Sequence, residues 1–427
     1  MNKVIVFYIR AFNDLDHFTP IIDKLLSNGC KTILYLTTEN VPVNDYRLRY
    51  LSNYNNCLVK RLSDLNYTYL YCILKRGSLK TKYCLIKEFL HKYFTKLNVM
   101  AYSGNQPDLV SVLSIDRHFK EFIEFDEIVI CVDHNINTYT LELISYSKKK
   151  NIEVFGLPHG DANYYSVMGG PVVNYDLDLF LKRKYLEIFD TFILPNKYMY
   201  ERQKYELITE NQNKIAILGS PRFNKTWVHK HLEIVNNYIG FKRKEDGTVV
   251  LIFMKFHGWP IHFEELLVTI SLIANFPNTA LYLKFHTRLS KLGLRNSKNE
   301  RLKKCLRKYD NITCFYDDVP SALLISNADI IVDLGTSASF ESIILNKTII
   351  TLDYLHPDYT TIAYFFKNAD LKCRDQLYEV LKRVAKNKNY RTYTDEEQQT
   401  FIDTMLHYPD SNVLDRYIKL ILSGLHE

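Results

Sequence analysis

An α/β protein of two Rossmann-like domains facing across a cleft is predicted by three observations. The chain has 427 residues, more than one hydrophobic core ordinarily supports. Strand-like segments recur along it at the spacing of strand-helix units. Most of them are continuous apolar runs, the pattern of parallel strands covered by helices on both faces.

The strands are read, in order, at Val4 to Ile9, Thr32 to Leu36, Glu127 to Val132, Ile152 to Phe155, Thr191 to Leu194 and Lys214 to Leu218. The series continues with Val249 to Met254, Ala280 to Phe285, Ile312 to Phe315, Ile330 to Val332 and Thr348 to Leu352. Amphipathic stretches such as Phe18 to Leu26 and Phe263 to Ala274 supply the covering helices. A polar stretch and the charged turn Lys242-Arg-Lys-Glu-Asp-Gly247 separate two groups of strands, so the join is expected between Leu194 and Val249. The expected division is an N-terminal domain over 1–205, a C-terminal domain over 206–395, and a helical segment over 396–427 that returns to the first domain.

Apolar residues make up 47% and charged residues 24% of the chain, the balance of a folded soluble protein. No run of about eighteen uncharged apolar residues is present, and the first ten residues read as a strand rather than a signal peptide. A cytoplasmic protein is expected. Its eight cysteines are scattered, with no CxxC pair and no Cys/His cluster at zinc spacing. The formal charge of +7 suits an acidic ligand or an anionic surface. Basic residues interleave with aromatics from Lys60 to Lys96, which reads as a solvated helical face or as a peripheral contact with the inner face of a membrane. A second basic run, Arg288 to Lys308, reads as an exposed helix. No nucleic-acid-binding module accompanies either run, so nucleic acid is not an expected partner.

Candidate chemistry stands at predicted strand ends, where open α/β sheets collect ligands. The run Asp329-Ile-Ile-Val-Asp-Leu-Gly335 leads into Thr336-Ser-Ala-Ser339 and Glu341. Free N–H groups and the hydroxyls of Thr336, Ser337 and Ser339 form a phosphate seat there, or an ordinary helix cap. Glu341 can accept from a ribose or simply favour the helix start. In Gly156-Leu-Pro-His-Gly160 the glycines and proline frame His159, a group able to take a proton from a hydroxyl nucleophile. Alternation along Tyr282-Leu-Lys-Phe-His-Thr-Arg288 puts Lys284, His286 and Arg288 on one side, where an anion would compensate their charge. Arg222, in Gly219-Ser-Pro-Arg-Phe-Asn224, is suited to bidentate phosphate contact or to bracing two domains. Asp14-Leu-Asp16 and Asp317-Asp318 have the look of metal motifs, but each is explained by a helix start, and no metal is expected. Nor is there a GxGxxG, a P-loop lysine or a GxSxG elbow.

Taken together, GlyLeuProHisGly, GlySerProArgPheAsn, LysPheHis and GlyThrSerAlaSerPheGlu, in this order, resemble the GT-B glycosyltransferases. Within them the chain is most similar to the surface-polysaccharide branch that includes CDP-glycerol glycerophosphotransferase-like enzymes. The resemblance covers about Phe125 to Asp358. It implies that His159 is the base and that His286 holds donor phosphate, although Thr287 stands where that branch has proline. It further implies a metal-independent transferase without a separate cofactor, its donor CMP-, CDP- or UDP-linked and its acceptor a glycan or lipid-linked glycan of capsule, lipopolysaccharide or teichoic-acid type. On this reading Arg222, Lys284, His286, Arg288, Gly335, Thr336, Ser337, Ser339 and Glu341 serve the donor. Asn13, Asp14 and His17 line the acceptor side. Two alternatives keep the fold: an enzyme of the UDP-N-acetylglucosamine 2-epimerase type, which needs carboxylates near the sugar carbon, and a non-enzymatic scaffold of a polysaccharide assembly.

Overall fold

The structure is a computed structural model that describes residues 3–37, 41–61, 124–134, 138–158, 160, 188–203, 214–243, 246–254, 261–285, 297–316, 319–355 and 360–424. The first lobe runs β1 (Lys3–Ile9), α1 (Phe12–Ser27), β2 (Lys31–Leu36), α2 (Tyr46–Leu51), β3 (Cys57–Arg61), β4 (Glu127–Asp133), α3 (Thr138–Lys149), β5 (Glu153–Leu157), β6 (Thr191–Leu194), α4 (Lys197–Gln203) and β7 (Ile215–Ile217). The second runs α5 (Lys225–Tyr238), β8 (Thr248–Met254), α6 (Phe263–Ala274), β9 (Thr279–Phe285), α7 (Ser297–Leu306), β10 (Ile312–Phe315), α8 (Ser321–Asn327), β11 (Ile330–Asp333), α9 (Phe340–Ile344), β12 (Thr348–Leu352), α10 (Thr361–Phe365), β13 (Asp370–Leu371), α11 (Arg374–Lys386) and α12 (Asp395–Phe401). Helix α13 (Val413–Ser423) follows.

Among the described residues every strand pairing is parallel. The first sheet has the order β3-β2-β1-β4-β5-β6-β7 and the second β10-β9-β8-β11-β12-β13. In each sheet the order reverses beside the first strand of its lobe, so loops leaving β1 and β4, or β8 and β11, diverge and leave a crevice at the carboxyl ends. Side-chain alternation divides β1 between two cores. Ile5, Phe7 and Ile9 pack with α1 and α13, whereas Val4, Val6 and Tyr8 pack on the opposite face with Leu143 and Ile144 of α3. The second sheet is covered on both faces in the same way. Each buried Val, Leu, Ile or Phe contributes about 1.5–3 kcal/mol relative to exposure, which is why these apolar runs settle as central strands.

The division expected after residue 205 needs correction. β7 hydrogen-bonds to β6 and completes the first sheet, so the strand near 214–218 belongs to the first lobe. The tail expected over 396–427 is itself split. Phe401, Met405 and Leu406 pack in the second lobe's core, whereas Val413, Tyr417, Ile418 and Ile421 pack into the first lobe against α1 and β1. The join is braced by Ser220 N–H on the Leu406 carbonyl at 2.7 Å, the Tyr417 hydroxyl on the Gly219 carbonyl at 3.0 Å and Arg416 on the Leu218 carbonyl at 2.9 Å. Gly219 has φ +89°, and a Cβ there would stand 2.7 Å from a Val413 methyl, so this bend requires glycine.

Among the described residues no helix is long and apolar enough to cross a membrane. The basic aromatic segment from residue 62 onward lies outside the described residues.

Candidate functional site

Helix α1 opens at the carboxyl end of β1, and its first turn carries most of the chemistry of the first lobe. Asp14 is fully buried, its carboxylate turned back to accept the N–H groups of Arg10 at 2.7 Å and Ala11 at 3.1 Å. Asp133, at the end of β4, adjoins it and lies 3.7 Å from the Arg10 guanidinium. Burial first, and then repulsion from and hydrogen bonding to Asp133, hold the Asp14 carboxyl well above the usual carboxylate range, against the opposing pull of Arg10. Two acids beside one arginine therefore form a proton-holding group at the end of β1 and β4. Beside it, His134 Nε2 donates to the Gly156 carbonyl at 2.8 Å, and its ring stacks on Phe192 at 3.8 Å.

Asp16, two residues on, points the other way. It meets Arg47 of α2 and, across the lobes, Arg222 of the turn Pro221–Phe223 at 3.3 Å. Arg47 is itself clasped by Asp45 through two hydrogen bonds of 2.9 and 2.8 Å. Burial pushes the Asp16 carboxyl upward, but Arg222 and Arg47 outweigh it and hold the group below its ordinary value. Glu341, 3% exposed on the first turn of α9, faces His231 of α5 at 3.8 Å, and the other nitrogen of that imidazole shares a 2.7 Å hydrogen bond with the Tyr46 hydroxyl of α2. Trp227 stacks against the same ring at 5.8 Å. Thus α1 and α2 of one lobe and the Arg222 turn, α5 and α9 of the other converge on one charged junction.

The hydroxyl-rich turn differs from the expected phosphate seat. Asp333 Oδ1 already takes the N–H groups of Gly335 and Thr336, at 3.0 Å each, and the Ser339 hydroxyl at 2.6 Å. Thr336 caps the N–H of Ala338 at 3.4 Å. The anion expected from solvent is supplied at those donors by the chain itself, because Asp333 ends β11 two residues before a left-handed Gly335 at φ +79°. Thr336 and Ser337 remain partly exposed on the turn's outer side.

Other expected residues are also placed. Lys284 is buried and donates to the Val319 carbonyl at 2.9 Å, so its ammonium is anchored within the second lobe. His17, at 1% exposure, lies on the packed face of α1, as does Asp14, and of the three acceptor-side residues Asn13 alone keeps exposed surface. His159, His286, Arg288 and the pair Asp317–Asp318 lie outside the described residues. Residues that sequence reasoning passed over are Arg10, Tyr46, Arg47, Asp133 and His231. Of these, Arg10 and Asp133 stand at strand ends, the signal that singled out the others.

No protein-family model matches the chain, and no curated protein matches it. Solved structures do. The UDP-GlcNAc 2-epimerase of Methanocaldococcus jannaschii superposes with a TM-score of 0.59 at 15% identity, over 99% of this chain and 100% of that one. The UDP-GlcNAc 2-epimerase of Neisseria meningitidis, bound to UDP-GlcNAc, gives 0.58 at 13% identity over 99% and 100%. A glycosyltransferase of Rickettsia africae gives 0.56 at 9% identity over 100% and 99%. The fold is GT-B. At these identities the likeness carries the architecture of two parallel-sheet lobes and nothing finer.

Proposed function

We propose that this GT-B chain is an enzyme that acts on a nucleotide-activated sugar or polyol phosphate held between its lobes and passes the activated group to a surface-glycan acceptor. The observation that carries the reading is the convergence of the second lobe on the first at the carboxyl ends of the strands: Arg222 meets Asp16 of α1, and Glu341 reaches Tyr46 of α2 through His231. Arg222 offers a guanidinium fork to phosphate, Glu341 an acceptor for ribose hydroxyls, and Thr336 and Ser337 hydroxyl donors. The resemblance assigns donor phosphate to His286 and the base to His159, and strand alternation adds Arg288 to the donor side. The acceptor oxygen attacks the activated carbon or phosphorus while the bond to the nucleotide breaks. Its proton passes to the base, and the departing phosphate takes the electron pair against the cations. Support for the donor class comes from neighbours of the same fold bound to UDP-GlcNAc or UDP.

A second reading, epimerisation of a UDP-linked N-acetyl sugar, is favoured by the Asp14–Asp133 pair. Moving a proton at carbon takes a general acid and a general base, roles that carboxyl groups can fill, and these two stand together at the ends of β1 and β4. One experiment separates the two. The protein is incubated with UDP-, CDP- and CMP-linked donors, with and without glycan acceptors, and the products are resolved by mass and proton NMR. Turnover that requires an acceptor supports transfer; inversion at carbon 2 of UDP-GlcNAc alone replaces it with epimerisation.

A further inference from the structure

Helix α1 grips the second lobe twice along one face. Asp16 meets Arg222, and seven residues later Asp23 accepts both bonds of Lys230 at 2.7 and 3.0 Å. Seven residues are two helical turns, so both carboxylates face the same partner. The two grips differ in one respect. Asp23 is tied into its place by the Tyr50 and Tyr54 hydroxyls, at 2.6 and 2.8 Å. Asp16 divides itself between Arg222 and Arg47.

We propose that Asp16 is an internal stand-in for the donor's phosphate: it occupies the Arg222 guanidinium until a nucleoside diphosphate takes its place, and that exchange releases α1 from the second lobe at this end while Asp23–Lys230 remains as the pivot. This rests on the reading of Arg222 as a donor-phosphate ligand. A guanidinium fork fits carboxylate and phosphate oxygens alike, and a diphosphate brings more negative charge than one carboxylate. The exchange is also inexpensive on the other side. Breaking a partly buried ion pair is costly when it leaves a charge alone, but Asp16 retains Arg47, so neither partner is orphaned. That both arginines together depress the Asp16 carboxyl is consistent with a shared carboxylate. Donor binding and lobe orientation are thereby coupled through one residue that contacts no substrate.

The test is calorimetric titration of the full chain with UDP, CDP and inorganic pyrophosphate at 0.15 M salt. Asp16→Asn is expected to bind the preferred diphosphate at least about fivefold more tightly than wild type, the lower end of ordinary coupling between sites. Asp16→Ser serves as a second neutral variant should the first not fold. Asp16→Glu and Asp23→Asn are expected to stay within about twofold of wild type, and Arg222→Ala to weaken binding at least about tenfold. Diphosphate binding that depends on Arg222 but is unchanged or weaker in both neutral Asp16 variants overturns the exchange and leaves the donor reading standing. Equal tightening by Asp23→Asn assigns the effect to net charge and likewise overturns it. Failure of the wild type to bind any of the three ligands, or indifference of binding to Arg222→Ala, overturns the donor reading and the exchange with it.

Discussion

The Ser339 hydroxyl lies 2.6 Å from Asp333 Oδ1, the oxygen that also receives the Gly335 and Thr336 N–H groups. The turn after β11 is therefore organised around a buried carboxylate, with the Thr336 carbonyl as a second acceptor for the same hydroxyl. Ser339→Ala removes one donor to a buried charge, which typically costs about 1.5–3 kcal/mol. Urea unfolding of the variant should show a lowered midpoint at unchanged slope; a loss under about 0.5 kcal/mol would mean that Asp333 does not depend on this bond.

Asp14 ties stability to pH with a definite sign. Its carboxyl titrates near 3.9 in the unfolded chain and well above that in the fold, through burial and then Asp133. Between those two values the folded state holds the extra proton, so stability must fall as pH rises through that window. Asn at this position keeps the carbonyl that accepts Arg10 and Ala11 and does not titrate. Asp14→Asn should accordingly gain on wild type progressively as pH is raised from 4 toward 8 in a urea-midpoint series. Parallel curves would show that the pair does not share a proton.

His407 acts in the opposite sense. Its Nε2 donates to the Phe223 carbonyl at 2.9 Å, and burial, opposed by that bond, lowers the imidazole below its ordinary 6.5. As pH falls through 6.5 the unfolded chain binds a proton that the fold refuses, and stability declines until the folded value is reached. His407→Gln, which can offer a similarly placed N–H, should flatten this acid limb in thermal melts between pH 5 and 7, with little change at pH 8.

Gly219→Ala meets two costs together. A left-handed φ of +89° is unfavourable for alanine, and the added Cβ would press on Val413 and on the Leu406 carbonyl at 3.0 Å. Summed, these amount to about 2–5 kcal/mol. Circular dichroism melts should show the loss directly, and an unchanged midpoint would mean that the bend between the lobes can relax.

Much of the architecture was legible because continuous apolar runs leave few alternatives to buried parallel strands. β3 and β13 were not, for physical reasons. Cys57–Arg61 is a half-exposed edge with two basic residues, and Asp370–Leu371 is two residues long. The run near 215 reads as a strand but pairs in the first sheet rather than the second, since a short run carries no mark of the strand it will pair with. At the site, position was legible and orientation was not. Strand ends and the Gly-Ser-Pro-Arg turn pointed to Glu341 and Arg222, which the fold brings to one junction. No spacing rule could show that Lys284 turns inward, that Asp333 fills its own turn, or that His231, in the middle of an ordinary-looking helix, would stand between Tyr46 and Glu341.

Val413, Tyr417, Ile418 and Ile421 close a core whose other walls include β1, α1, β2 and β4. During synthesis those walls leave the ribosome long before the residues that will cover them. The opening lobe must therefore wait, its greasy flank uncovered, while the whole second lobe is made and folded. Nascent chains halted just short of α13 should engage holding chaperones through that flank, and lengthening them past Ser423 should release them.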